Sequence, residues 1–342
     1  MAPGLRRAPA RICTPGLWHL PVLALALITA QGSGLRATPV KTVTILCTND
    51  LHGEFYPTPD WTVPGAPKPE LGGLDRLAAL VRAERQKGPC LLLDAGDFAC
   101  GAPEVNQTQG RAMFDLMNRI GYDAVCVGER DLAYVTMQLD TIAQRIQFRL
   151  LGERCLAAGA NVDFPVVRPS LLRTVGGVKI GLVGLLDERL VASVADTIQF
   201  TSGLRLEAIL DRELKALKSQ DADLILVLLH APLARGRELA ARFPDVSVFF
   251  CGHEGLVAEP TRSTSDHPPV FESGKRGQRI GLCRITFDTL KRVATGLRFR
   301  VVNLLPGLTE PDSQVAGHLA AIRQPALDDS ISGSPLELAP TG

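Results

Sequence analysis

Six side chains able to bind a cation or move a proton fall directly after apolar runs. The run 42–47 (TVTILC) leads into Asn49, Asp50 and His52; 90–95 (CLLLDA) into Gly96 and Asp97; 123–127 (DAVCV) into Gly128 and Glu129; 222–229 (ADLILVLL) into His230; and 246–251 (VSVFFC) into Gly252 and His253. Asp50 and His52 are two apart, so an extended segment turns both to one side. Taken singly each has an ordinary explanation, since a strand-end Asp caps helices or forms turns and a lone His is commonly a satisfied surface or core residue. Capping does not ask for histidine, however, and acids and imidazoles gathered at five strand ends read as a metal centre. Mixed carboxylate and imidazole donors suit one or two divalent ions of Mn, Fe, Zn or Co, whereas Ca or Mg would want more oxygen.

Positioning such residues requires an α/β fold. Short β-branched runs alternate with amphipathic stretches, the pattern of a mainly parallel sheet covered by helices, and open sheets of this kind place ligand sites at the carboxyl ends of their strands. Strands are expected over the runs above and over 178–185; helices over 72–86, 110–120, 136–145, 205–219 and 235–242. In the first helix Leu74, Leu77, Ala78, Leu80 and Val81 recur at helical spacing behind Gly72 and Gly73. The segments 269–273, 279–287 and 294–303 read as antiparallel strands closing a second sheet. Beyond Pro306 periodicity fades, so 306–342 is expected to be a partly disordered tail.

With 46% hydrophobic and 21% charged residues the 342-residue chain is globular. Residues 1–30 carry Arg6, Arg7 and Arg11 with no acid, then an apolar run from Leu17 to Ala30 interrupted by His19 and Pro21. That is the form of a secretory signal peptide, too short for a span, so the chain is expected to be exported to a periplasm or the exterior with no stable membrane insertion. Removing three arginines from 37 basic residues leaves 34 against 36 acidic ones, a balance that gives nucleic acid or anionic lipid nothing to bind. Seven cysteines remain after Cys13 leaves with the leader, an odd number at irregular spacings, which reads as buried free thiols. Composition carries no statement of oligomeric state.

The ordered blocks Asp50-x-His52, Gly96-Asp97, Gly128-x-x-Asp131, His230 and Gly252-His253 resemble the signature of the calcineurin-like metallophosphoesterases. TILCTNDLHGEF, Gly72-Gly73, DAGD followed by Gly101, Ala160-Asn161 and GGVKIGLVGLL at 176–186 point to the 5'-nucleotidase and cyclic phosphodiesterase branch, over about 40–305. The resemblance implies a four-layer α/β/β/α sandwich corresponding to that branch's amino-terminal domain, acting on a small phosphorylated substrate or anion. It further implies that Asp50 and His52 hold one metal, that Asp97 bridges, that His230 and His253 hold a second, and that a metal hydroxide attacks phosphorus.

Two blocks depart from the pattern. The third reads Gly128-Glu129-Arg130-Asp131, where the family has Gly-Asn-His-Glu or Gly-Asn-His-Asp. Glu129 can still coordinate, while Arg130 replaces the histidine that protonates the leaving group; Arg130 and Asp131 are the expected catalytic residues. Ala133 replaces the aspartate that orients that histidine. The fifth block has Gly255 where a second histidine is expected, leaving Glu254, His267 or water to fill the place, or a one-metal centre on Asp97, Glu129, His230 and His253. Cys100 is open to two readings, ordinary packing or approach to the metals, and Asp187 reads as a cap or turn residue. Two functions follow: a hydrolase of reduced or altered activity, and a non-catalytic metal- or anion-binding protein on the same fold.

Overall fold

The computed structural model describes residues 40–137, 144–153, 155–157, 166–191, 198–200, 205–259, 267–307 and 310–332. The expected leader and Ala160-Asn161 lie outside these residues, as do much of the expected helix 136–145 and the side chain of Ala133. From Thr38 onward the chain is one compact unit.

Two sheets carry the fold. The first has seven strands in the order Val293–Asn303, Arg279–Asp288, Val40–Thr48, Cys90–Asp94, Ala124–Cys126, Arg149–Leu151 and Val167–Arg168. The second has six, in the order Val257–Ala258, Val270–Ser273, Val248–Gly252, Leu224–His230, Val178–Leu186 and Ser170–Val175. Side-chain alternation sorts each strand between two cores. Val43, Ile45 and Cys47 of the first strand, with Leu226, Leu228 and Phe250 of the second sheet, fill the space between the sheets. Leu46, Leu92 and Val125 face outward onto the helices Leu74–Lys87 and Arg111–Ile120. Val227, Leu229 and Phe249 face the helices Leu206–Ser219 and Leu233–Arg242 on the far side. Three stacked cores between helices, sheet, sheet and helices make the four-layer α/β/β/α sandwich.

Two expectations are corrected. The three late strands do not close one sheet together: Val270–Ser273 runs parallel to Val248–Gly252 in the second sheet, whereas Arg279–Asp288 pairs antiparallel with both Val40–Thr48 and Val293–Asn303 and extends the first. Apolar alternation is the same in either sheet, so pattern alone does not assign the partner. The tail 306–342, expected to be partly disordered, contains a helix, Ser313–Ser332. Asp312 starts it by accepting the N–H groups of Gln314 and Val315 at 3.0 and 3.1 Å and by pairing with Arg82. Val315 and Leu319, four apart, are buried in the helix-facing core, and Tyr56 donates to the Leu319 carbonyl at 3.0 Å. A stripe this sparse is a weak signal in sequence.

The parallel strands bring their carboxyl ends into register. Thr48 pairs with Asp94, and His230 with both Leu186 and Gly252. Beyond the strands the loops stay paired: Asp50 N–H donates to Gly96 O at 2.9 Å and His52 N–H to Asp97 O at 2.9 Å. Loops that carry the polar residues are thereby held side by side.

Candidate metal centre

All six expected ligands converge. Glu129, His230 and His253 present donor atoms mutually within 4.8 Å, and so do Asp50, His52 and Asp97. Asp97 joins the two groups, with Oδ1 3.6 Å from His230 Nε2. Asp50, His52, Asp97 and His253 all have positive φ, at 51°, 49°, 58° and 112°. Non-glycine residues avoid this left-handed region at a cost of about 1–2 kcal/mol each, and strain of that kind concentrates at functional sites.

Several of these residues have a holder. His230 is fully buried, and its Nδ1 lies 2.9 Å from the Ala95 carbonyl, an acceptor, so Nδ1 carries a proton. Its Nε2 then faces Glu129 Oε2 at 2.7 Å. A neutral imidazole would set two lone pairs against each other at that distance, so a cation, either a proton or a metal ion, belongs between them. Without a metal, burial works against charge on His230, but Glu129, Asp97 and Asp50 together outweigh it and raise its pKa to about 10. Burial also works against the Glu129 carboxylate, yet His230 and His253 hold its pKa well below the usual range. Burial pushes Asp97 up to about 6. Asp50 Oδ2 accepts from Asn49 Nδ2 and from the backbone of His253, both at 2.8 Å, leaving Oδ1 for the centre.

Two glycines make room. A Cβ on Gly96, whose φ is 103°, would sit 2.6 Å from His230 Nδ1, and one on Gly128 would sit 2.2 Å from Asp97 Oδ1. The Gly in each of these blocks therefore allows the strand ends to touch.

Arg130 and Asp131, expected as catalytic residues, separate into two places. The Arg130 side chain is 61% exposed, with Nε 3.6 Å from Asp97 Oδ2 and 3.8 Å from Glu129 Oε1, at the mouth of the centre. Asp131 is wholly buried and both its oxygens are taken by backbone: Oδ2 accepts from Asp97 at 2.8 Å and Gly128 at 2.9 Å, Oδ1 from Ala99 at 2.8 Å. It ties the Asp97 loop to the Glu129 loop and turns nothing toward a substrate.

Glu254 does not fill the place opposite Gly255, because its Oε2 accepts the Leu233 N–H at 2.8 Å, at the start of a helix. Neither Cys100 nor His267 belongs to a donor group among the described residues, and Cys47, Cys90, Cys100, Cys126, Cys251 and Cys283 are free. Asp187 forms a turn, accepting from Arg189 N at 3.0 Å while pairing with its guanidinium at 2.5 Å.

Three supporting residues escaped the sequence reading. Asn49 donates to Gly274 O at 2.6 Å as well as to Asp50, and accepts from Ser273 N at 3.0 Å. Asp94 accepts from Thr48 Oγ1 at 2.6 Å and from Gly96 N at 2.8 Å; burial drives its pKa up to about 8. Glu272 is buried and accepts from Leu256 N at 2.9 Å, supporting the turn after His253. Asn49 and Asp94 stand inside the motif blocks, where adjacency to a ligand was the available signal; Glu272 had none.

Residues 43–255 match the calcineurin-like phosphoesterase family profile, and the chain belongs to that family. Its curated relatives include the 5'-nucleotidase of Bos taurus, 26% identical over 319 residues, which covers 86% of this chain and 53% of the relative. Among solved structures, a 5'-nucleotidase precursor from Thermus thermophilus superposes with a TM-score of 0.71 at 24% identity, over 84% of this chain and 59% of that one. The sulfate thiohydrolase SoxB of the same organism superposes with a TM-score of 0.70 at 18% identity, over 84% and 61%. The chain thus spans about half the length of the curated relatives it matches, and the shared fold is that of the 5'-nucleotidase branch. No helix among the described residues is long and apolar enough to cross a membrane.

Proposed function

We propose that the chain is an exported, metal-dependent phosphoester hydrolase in which Asp50, His52, Asp97, Glu129, His230 and His253 hold one or two divalent ions. The observation that carries this reading is the convergence of Asp50 Oδ1 and His52 Nδ1, buried without hydrogen-bond partners, with Glu129 Oε2 and His230 Nε2, which face each other across 2.7 Å and need a cation between them. Leaving such atoms unpaired costs about 1–3 kcal/mol each, so a cluster of them calls for a cation. Three carboxylates and three imidazoles fit Mn, Fe, Zn or Co.

Divalent ions held there would supply Lewis acidity toward a phosphoryl oxygen and make water a competent nucleophile near neutral pH. Arg130, at the mouth, binds and orients an anionic phosphoryl oxygen through charge-assisted hydrogen bonds. It keeps its proton near neutral pH and cannot hand one to a leaving group. Loss of that acid typically costs about 10²–10⁴ in rate, so activity on poor leaving groups is reduced most. Asp131 is a positioning residue that fixes the loops carrying Asp97 and Glu129. The substrate is a small phosphorylated molecule; export follows from Arg6, Arg7 and Arg11 ahead of the apolar run, to a periplasm or the exterior.

A non-catalytic metal- or anion-binding protein is the second reading, favoured by Gly255, which offers no ligand where the resemblance expects one. The deciding experiment is phosphate release by the protein from Ser33 onward, across mono- and diesters with Mn, Fe, Zn or Co, beside Asp97→Ala. Turnover that vanishes in Asp97→Ala while the fold survives supports the hydrolase; equal background in both leaves the binding protein.

A further inference from the structure

We infer that the turn at residues 274–277, Gly-Lys-Arg-Gly, is a second anion contact beside the metal centre, so that the substrate carries a further negative group beyond the ester that is cleaved. The inference rests on the phosphoesterase reading and names the substrate class within it.

The turn is built against the ligands. Arg276 N–H donates to the carbonyl of Asp50 at 2.7 Å, Gly274 N–H to Leu256 O at 2.7 Å, and Gln278 N–H to Lys275 O at 3.1 Å. The buried Asn49 amide that orients Asp50 also holds Gly274 O at 2.6 Å. Arg276 is itself left-handed, with φ 56°, between Gly274 at 97° and Gly277 at 60°. Lys275 is fixed at its base, because its methylenes lie over Gly255: a Cβ there would meet Lys275 Cδ at 2.6 Å. The turn therefore touches the segments of two ligands, Asp50 and His253, and is as firmly placed as they are.

Its charges are exposed. Lys275 and Arg276 are both open to solvent and form no ion pair with any described residue within 4 Å. Glu54 is an acid close enough to interact electrostatically with Arg276. Lys275 and Arg276 are thus two exposed cations on the turn, and Arg130 adds a third at the mouth. One guanidinium suffices to orient a phosphoryl group, so a separate pair of cations on the Asp50 side addresses a different anion on the same molecule: a second phosphate, a sulfonate or a carboxylate.

The test compares phenyl phosphate with 4-sulfophenyl phosphate on the Mn-loaded protein, on Lys275→Gln/Arg276→Asn, and on the charge-conserving Lys275→Arg/Arg276→Lys. Asparagine is chosen at 276 because it tolerates a left-handed backbone. The neutral pair should lower kcat/KM for the sulfonated compound about tenfold more than for phenyl phosphate, the loss of one charge-assisted contact, while the charge-conserving pair keeps the wild-type ratio. Equal losses on both compounds, or none, overturn the inference. If no protein turns over either compound, the phosphoesterase reading fails separately, and calorimetric titration of the same two compounds decides the turn. A sulfonate advantage in binding that disappears in the neutral pair supports it, and equal binding in all three proteins overturns it.

Discussion

His230 Nε2 and Glu129 Oε2 stand 2.7 Å apart while His230 Nδ1 is committed to the Ala95 carbonyl, so the pair holds a proton or a metal ion and never both. With the His230 pKa raised to about 10, the proton is present at neutral pH when metal is absent. Metal binding must expel it, and metal affinity should rise as pH climbs toward 10. Calorimetry in buffers of different ionisation enthalpy will show about one proton released on this account, and Glu129→Gln will reduce that number.

Arg130 sets a leaving-group dependence. Rates should fall steeply from aryl to alkyl phosphates, and Arg130→Gln should raise KM for phenyl phosphate about tenfold through loss of a charge-assisted bond. Arg130→His places a group that titrates near neutrality at the same mouth and should recover alkyl phosphate turnover by up to about 10². Steady-state kinetics on a phosphate series of graded leaving-group pKa reads both effects.

Asp131 supports three backbone N–H groups, those of Asp97, Ala99 and Gly128. Asp131→Ala strands them in a buried setting at about 1–3 kcal/mol each, so urea unfolding should show a loss of several kcal/mol and metal binding should weaken with it. Retained stability with lost turnover would instead return Asp131 to a chemical role.

Asp94 makes the stability of the fold fall from acid toward neutral pH. Its pKa is raised by burial from 3.8 to about 8. Below the unfolded value both forms are protonated and nothing is lost; between about 4 and 8 the unfolded chain releases a proton that the folded one keeps, so stability falls as pH rises and levels off above 8. Asp94→Asn should flatten the slope of unfolding free energy across that window.

Much of this is legible in sequence because it is periodic or punctual. Nine of the thirteen strands in the two large sheets fall on expected runs, and Asp50, His52, Asp97, Glu129, His230 and His253 follow the carboxyl ends of five of them. Sheet membership of Arg279–Asp288 is not legible, since its partner Val40–Thr48 lies more than 200 residues away and no local property marks it. The helix Ser313–Ser332 escapes because its buried stripe rests on few residues and on Asp312, whose capping role needs the fold to be seen. Asp131 is deceptive for a related reason: a carboxylate beside ligands looks chemical until its three backbone donors are located.

Position 255 and position 275 are not independent. A side chain at 255, where φ is 65°, meets the methylenes of Lys275, so Gly255→His, which would add the further imidazole that the resemblance expects, needs Lys275 to move aside. The two positions are in contact, so substitutions at 255 and 275 are expected to act non-additively. In this chain a lysine stem on the rim occupies the space that a side chain at 255 would enter.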